Sequence, residues 1–130
     1  MSIDEILKKY RDIAVVGISD KPDRYSYQVA KYLSEHGYNI IPVNPGLSQW
    51  LGIKAYKDVK SISENVDVVD IFRRPEFIEE IVKDSEGKAK VIWMQEGIVN
   101  DKAKQFAIDM GMEVVMDKCM KKEYEKLNKK

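Results

Sequence analysis

With 130 residues the chain has room for one core and one domain, and no shift in composition along it marks a second. Its 22 basic residues are matched by 22 acidic ones, and a formal charge of zero excludes the electrostatic footprint of a protein that binds nucleic acid or an anionic membrane. No apolar stretch approaches the roughly 20 residues of a membrane span, and a single cysteine cannot form an internal disulfide, which fits a reducing cytoplasm.

The first segment, Met1 to Lys9, sets Ile3, Ile6 and Leu7 among Asp4, Glu5, Lys8 and Lys9, an amphipathic helix and not the apolar core of a signal peptide. Ile13 to Val16 follows as a continuous apolar run, β-branched at three of its four positions, which is the pattern of a strand buried on both faces. Gly17 lets the backbone turn tightly, a polar loop runs to Ser26, and Val29, Ala30 and Leu33 then recur at helical spacing. The free amides at the start of that helix are expected to point back toward the strand tip and form a cradle for an anion, without a metal. Gly37 ends the helix and Tyr38 to Val43 is the second strand.

Between Asn44 and Ser63 the pattern is least regular. Asn44-Pro-Gly46 stops the strand, one helical turn is predicted near Leu47 to Leu51, and a short extended piece at Lys54 to Tyr56. Two more strands are legible at Val66 to Phe72 and Val91 to Met94, separated by a helix that Pro75 starts and Phe77, Ile78, Ile81 and Val82 face. A helix carrying Ala103, Phe106, Ala107 and Met110 ends at Gly111 and leads into Val114 to Met116. The last helix runs from about Cys119 to Leu127, its Lys and Glu residues forming a solvated face. Five strands alternating with helices predict an α/β fold: one Rossmann-like, doubly wound domain over residues 1–130, with a five-stranded parallel sheet covered on both faces.

In such a sheet the ligand crevice lies outside the carboxyl ends of the strands. Those ends deliver Gly17, Ile18 and Ser19, then Asn44 and Pro45, then Phe72, Arg73 and Arg74, then Gln95, Glu96 and Gly97. The second tip discriminates most. A fold that holds NAD usually places Asp or Glu there for the ribose hydroxyls, whereas Asn44 is neutral and does not repel a ribose bearing an extra phosphate, as in coenzyme A or NADP. Arg24 and Lys21 are candidates to pair with phosphate oxygens, or are ordinary surface charge. Ser26 caps the helix through its hydroxyl, faces a phosphate, or does both.

The segments Gly17-Ile-Ser-Asp-Lys-Pro-Asp-Arg-Tyr-Ser26, Gly37-Tyr-Asn-Ile-Ile-Pro-Val-Asn-Pro45, Val66-Asp-Val-Val-Asp-Ile-Phe-Arg73, Trp93-Met-Gln-Glu-Gly97 and Val115-Met-Asp-Lys-Cys119 resemble, nearly end to end, the small CoA-binding proteins of the YccU-like group. That group is similar to the CoA-binding domain at the start of the succinyl-CoA synthetase alpha subunit. The resemblance implies that coenzyme A or an acyl-CoA is held at the strand tips. Gly17, Ile18 and Ser19, with Arg24 and Ser26 behind them, would contact the diphosphate. Asn44 and Pro45 would border the adenosine, Phe72 and Arg73 would flank the middle of the ligand, and Gln95, Glu96 and Gly97 would line the pantetheine arm. The sequence departs from the group at Gly46, where many relatives carry a basic residue after Asn-Pro.

Synthetase chemistry needs a phosphorylatable histidine, and the single histidine, His36, falls at a helix C-terminus, away from the predicted rim. Cys119 is either a small packing residue or a thiol activated by a helix start. Asp67 and Asp70 lie on one strand on opposite faces, Asp70 near its tip. Trp93, Met94 and Phe72 either fill the core or line a groove, and Tyr25 or Tyr27 is placed to cover an adenine. No spacing resembles a metal site. The expectation is a stand-alone, non-enzymatic, cytoplasmic domain, a carrier, sensor or accessory subunit with a small nucleotide ligand and a protein partner the sequence does not name. The alternatives are an NAD(P)-binding redox enzyme or regulator, and a protein-interaction module with a vestigial crevice.

Overall fold

The computed structural model describes residues 1–129; Lys130, the end of the predicted charged tail, lies outside them. Helix α1 (Ile3–Lys9) starts at a reciprocal cap in which the Ser2 hydroxyl accepts the Glu5 N–H and the Glu5 carboxylate accepts the Ser2 N–H. After β1 (Asp12–Val16) come α2 (Tyr25–Glu35), β2 (Asn39–Val43) and a small hairpin of β3 (Gln49–Trp50) and β4 (Ile53–Lys54). The chain continues through β5 (Val68–Ile71), α3 (Ile78–Asp84), β6 (Val91–Met94), α4 (Asp101–Asp109), β7 (Glu113–Met116) and α5 (Met120–Leu127).

Five of these strands form one parallel sheet in the order β2-β1-β5-β6-β7. Alternation along the strands sorts the core into two layers. Ile13, Val15, Val68, Val91, Trp93 and Val115 pack against α1, α2 and α5, while Ala14, Val16, Val69, Ile71, Ile92 and Met94 pack against α3 and α4. The doubly wound expectation therefore holds. The outer strand β2 carries Pro42, which lacks a ladder donor and is tolerated at an edge. Tyr56 seals that edge, donating its N–H to the Pro42 carbonyl and accepting from the Asn44 N–H.

Where a helical turn was predicted near Leu47 to Leu51, the chain instead forms the β3-β4 hairpin. Leu51 and Gly52 both take positive φ, 48° and 80°, the backbone of a tight two-residue hairpin turn. The cause is tertiary: Trp50 is buried and its indole N–H donates to the Ser19 carbonyl at 2.9 Å, tying the hairpin to the loop after β1.

The order of the sheet decides where a ligand can sit. From β1 the chain crosses to β2 on one side, then passes back to β5 on the other, so the connections diverge between β1 and β5 and open a crevice at their tips.

Candidate functional site

Gly17 and Phe72 form the floor of that crevice. The Phe72 N–H donates to the Val16 carbonyl at 2.8 Å, and a Cβ placed on Gly17 would lie 2.6 Å from the Phe72 carbonyl oxygen and 3.0 Å from Arg73 Cδ. Gly17 also holds φ at +87°, so both backbone conformation and space require glycine here.

The loop that follows is braced from two sides. Asn44 Nδ2 donates to the Ile18 carbonyl at 2.7 Å and Asn44 Oδ1 accepts the Gly46 N–H at 2.7 Å; Trp50 holds the Ser19 carbonyl. The Ile18 and Ser19 carbonyls of the loop are thus both occupied by side-chain donors. Asn44 spends both ends of its amide on this brace, so at the rim it has a structural role beside the expected one of bordering the adenosine. An aspartate there would set an oxygen against the Ile18 carbonyl where a donor is needed.

The loop amides are less free than the sequence suggested. Gly17 donates to Val43 at 2.9 Å, and Ser19 donates to the Ser26 hydroxyl at 3.0 Å. Ser26 accordingly does not cap α2: it is the second residue of the helix, Arg24 holds the N-cap position without a side-chain capping bond, and the Ser26 hydroxyl reaches back to the loop. Among the described residues, the donors left for an anion are the loop N–H groups of Ile18 and Asp20 and those of the first helical turn, where the N–H groups of Ser26 and Tyr27 have no intrahelical acceptor.

Two clefts meet at Gly17. One, of about 310 Å³, is lined by Gly17, Ser19, Lys21, Arg24, Tyr25, Ser26 and Phe72. Its charged residues, Lys21 and Arg24, are both basic, and among the described residues neither makes an ion pair. The other, of about 170 Å³, runs between β1, β2 and α3, past Pro45, Lys57, Val59, Arg73 and Phe77. It carries three carboxylates, on Asp58, Glu80 and Asp84, against Lys57 and Arg73. Burial, with Asp58 and Glu80 nearby, holds the Asp84 carboxyl above its usual range, while hydrogen bonds from Ser61 hold Asp58 below its own. The Arg73 guanidinium lies 4.3 Å from the centroid of the Phe77 ring. A diphosphate is favoured in the first cleft and opposed in the second.

The structure thus places Gly17, Ser19, Arg24, Ser26 and Phe72 around one cleft, and Gly17, Pro45 and Arg73 around its neighbour. Ile18 contributes backbone alone, because its side chain is buried in the core. The tip of β6 stands apart. Glu96 is exposed and paired with Lys122 at 2.8 Å, and the Gly97 N–H donates to Asp117 Oδ1 at 2.7 Å. Gln95 is buried, its Oε1 accepting the Met120 N–H at 3.2 Å. None of these three lines either cleft.

Cys119 is also buried, at the N-cap of α5, and accepts a hydrogen bond from the Tyr25 phenol. Burial, that thiol and nearby acidic groups push the phenol pKa up, so Tyr25 keeps its proton. Its ring meets Phe72 edge to face at 6.1 Å, and Tyr27 meets Trp50 at 5.7 Å. Lys57, Asp58, Glu80 and Asp84 escaped the sequence reading, and Phe77, expected on the buried face of its helix, is instead exposed at the cleft. They come from the irregular segment, from the 3-10 turn Pro75–Phe77 and from α3, and only the crossover brings them to the rim. Trp50, a large apolar residue in a polar stretch, was a signal of a brace that a local reading could not resolve.

A binding crevice at the switch point, glycine-floored and lined by free cations beside a helix start, is nucleotide-binding architecture. A family model described as a CoA binding domain matches residues 11–125. The chain belongs to this CoA-binding family. It is 44% identical over 120 residues to the uncharacterized protein YneT of Bacillus subtilis, a match covering 92% of this chain and 89% of that protein. The solved structure of a hypothetical protein from Pyrococcus horikoshii superposes with a TM-score of 0.93 at 42% identity, covering 97% of this chain and 89% of that one. The alpha subunit of an ADP-forming acetate–CoA ligase II from Pyrococcus furiosus is 39% identical over 71 residues, 54% of this chain but 16% of the ligase subunit. The relationship to that enzyme therefore concerns one domain of a much longer chain. Among the described residues, no helix is long and apolar enough to cross a membrane.

Proposed function

We propose that this domain binds coenzyme A or an acyl-CoA at the β1/β5 tips and works without catalysis of its own, as a carrier, sensor or accessory subunit. The observation that carries the reading is the cationic cleft. Lys21, Arg24 and the first-turn amides of α2 converge beside Gly17 with no carboxylate among them, which suits a nucleotide diphosphate. The cleft that shares Gly17, with Pro45, Arg73 and Phe77 on its walls, offers a continuing path along the rim. The curated relatives matched over part of this chain include ligases whose names contain CoA, and the matching family model is a CoA binding domain, which supports the choice of ligand.

The non-catalytic part of the reading rests on the position of the reactive side chains. His36 lies at the C-terminal end of α2, stacked on Tyr32 at 4.0 Å, at the opposite end of the sheet from the rim. Cys119 is buried behind Tyr25. Thermal denaturation with added ligand tests the proposal. CoA raises the melting temperature in a concentration-dependent way and NADH does not; no shift at millimolar CoA refutes it. Mass spectrometry of gently purified protein is expected to find a CoA species bound.

A further inference from the structure

Beneath the cationic cleft lies a pair of polar groups that the protein itself does not satisfy. Asp70 is fully buried on β5, on the face that packs against α2 and α5, and among the described residues neither carboxyl oxygen has a hydrogen-bond partner. Gln95 is buried one step further along: its Oε1 takes the Met120 N–H, but its Nε2 has no partner. Parallel register sets Asp70 beside Trp93, so Gln95, two residues beyond Trp93, is the diagonal neighbour of Asp70 on the same face. Both Trp93 and Gln95 reach the start of α5, Trp93 by donating to the Lys118 carbonyl.

An unpaired acceptor and an unpaired donor on one face of adjacent strands in a core are costly, and burial alone pushes the Asp70 carboxyl well above its usual range. Hydrophobic residues would fill both positions more favourably if folding were the only requirement. The two groups match one chemical unit, a secondary amide, whose N–H suits the carboxyl and whose carbonyl suits the Gln95 amide nitrogen. Coenzyme A carries two such amides between its diphosphate and its thiol.

A path connects this pair to the cleft. Phe72 stands two residues beyond Asp70 on the same face, and the Tyr25 ring closes against it; both residues form the wall of the cationic cleft. Tyr25 is 43% exposed, and its one side-chain hydrogen bond goes to a thiol, a weak acceptor. Tyr25 is thus held by one weak hydrogen bond and one edge contact, at the side of Phe72 that leads along β5 toward Asp70.

We propose that Asp70 and Gln95 form a subsite that binds a secondary amide in the arm of a CoA-type ligand, reached by displacement of Tyr25 from Phe72. The inference rests on the CoA reading above, in which the resemblance already sets Gln95 along the arm, and adds to it Asp70, the amide the pair would take and the route past Tyr25. Calorimetric titration with CoA and with adenosine 3′-phosphate 5′-diphosphate, which has the same nucleotide end and no arm, tests it. The wild-type protein is expected to bind CoA more tightly than the armless nucleotide. Asp70→Leu is expected to lower CoA affinity about tenfold, the worth of one good hydrogen bond, and to leave the armless nucleotide unaffected. The isosteric Asp70→Asn retains one acceptor and falls between the two.

Both variants remove a buried unpaired carboxyl and are expected to fold with a raised melting temperature, which separates loss of contact from loss of structure. If Asp70→Leu changes both affinities equally, or neither, the subsite does not exist, even though CoA binding stands. If the wild-type protein binds neither nucleotide, the CoA reading itself falls and the subsite with it.

Discussion

Replacing Gly17 with alanine tests whether the rim is as tightly built as its geometry indicates. The residue's φ of +87° lies where an L side chain costs about 1–2 kcal/mol. The new Cβ would in addition sit 2.6 Å from the Phe72 carbonyl oxygen, too close to persist, and the obstacle is backbone locked into the ladder by the Phe72 N–H to Val16 bond. Overpacking of this kind costs about 1–3 kcal/mol, so Gly17→Ala is expected to destabilise by roughly 2–5 kcal/mol in total. Gly37→Ala is the matched control. Its φ is +91°, yet nothing lies within 4 Å of its Cβ, so it carries the conformational cost alone. Urea unfolding of both variants reads the difference, expected at about 1–3 kcal/mol in the same direction. Equal destabilisation of the two would refute the close approach of β1 and β5 at their tips. Because the loop must shift to relieve the contact, Gly17→Ala is also expected to lose the thermal response to CoA.

Other perturbations address the electrostatics and the braces. Lys21→Ala/Arg24→Ala removes both cations of the diphosphate cleft and is expected to weaken CoA binding by about tenfold at low salt, the loss shrinking as salt screens the charges; calorimetry at two ionic strengths measures it. Asn44→Asp replaces the donor to the Ile18 carbonyl with an oxygen at 2.7 Å and is expected to cost about 1–3 kcal/mol in denaturant unfolding, with weaker CoA binding and no gain in NADH binding. Asp70→Asn is expected to stabilise the protein more at neutral pH than at pH 4. Burial raises the folded carboxyl's pKa, so as pH climbs past the ordinary carboxyl range the unfolded chain releases a proton that the folded chain retains, and wild-type stability falls. The gain should grow by up to about 1.4 kcal/mol per pH unit within that window, and a gain independent of pH would contradict it.

The strands and most helices were legible because their signals are local. The run Ile13 to Val16 and the run Val91 to Met94 are apolar on both faces, and Gly37 and Gly111 stop helices immediately before strands. The hairpin at Gln49–Lys54 was not, because Trp50 folds it by reaching Ser19, 31 residues away in sequence. Ser26 looked like a helix cap because that residue type at a helix start so often is one; a bond to Ser19 depends on a turn shape that residue type does not encode. Asn44 was legible only as a neutral residue at a strand tip, while its partners, Ile18 and Gly46, follow from the meeting of two loops.

By itself the sequence determined the alternation of strand and helix, the glycine at the first strand tip and the family to which those motifs belong, since periodicity, turn chemistry and local motifs are written in neighbouring residues. Only the tertiary structure decided which tips meet, that the acidic and basic clefts divide at Gly17, and that Asp70 and Gln95 lie buried together without partners. Strand order and helix placement set those distances, and they emerge from packing the whole core rather than from any one segment.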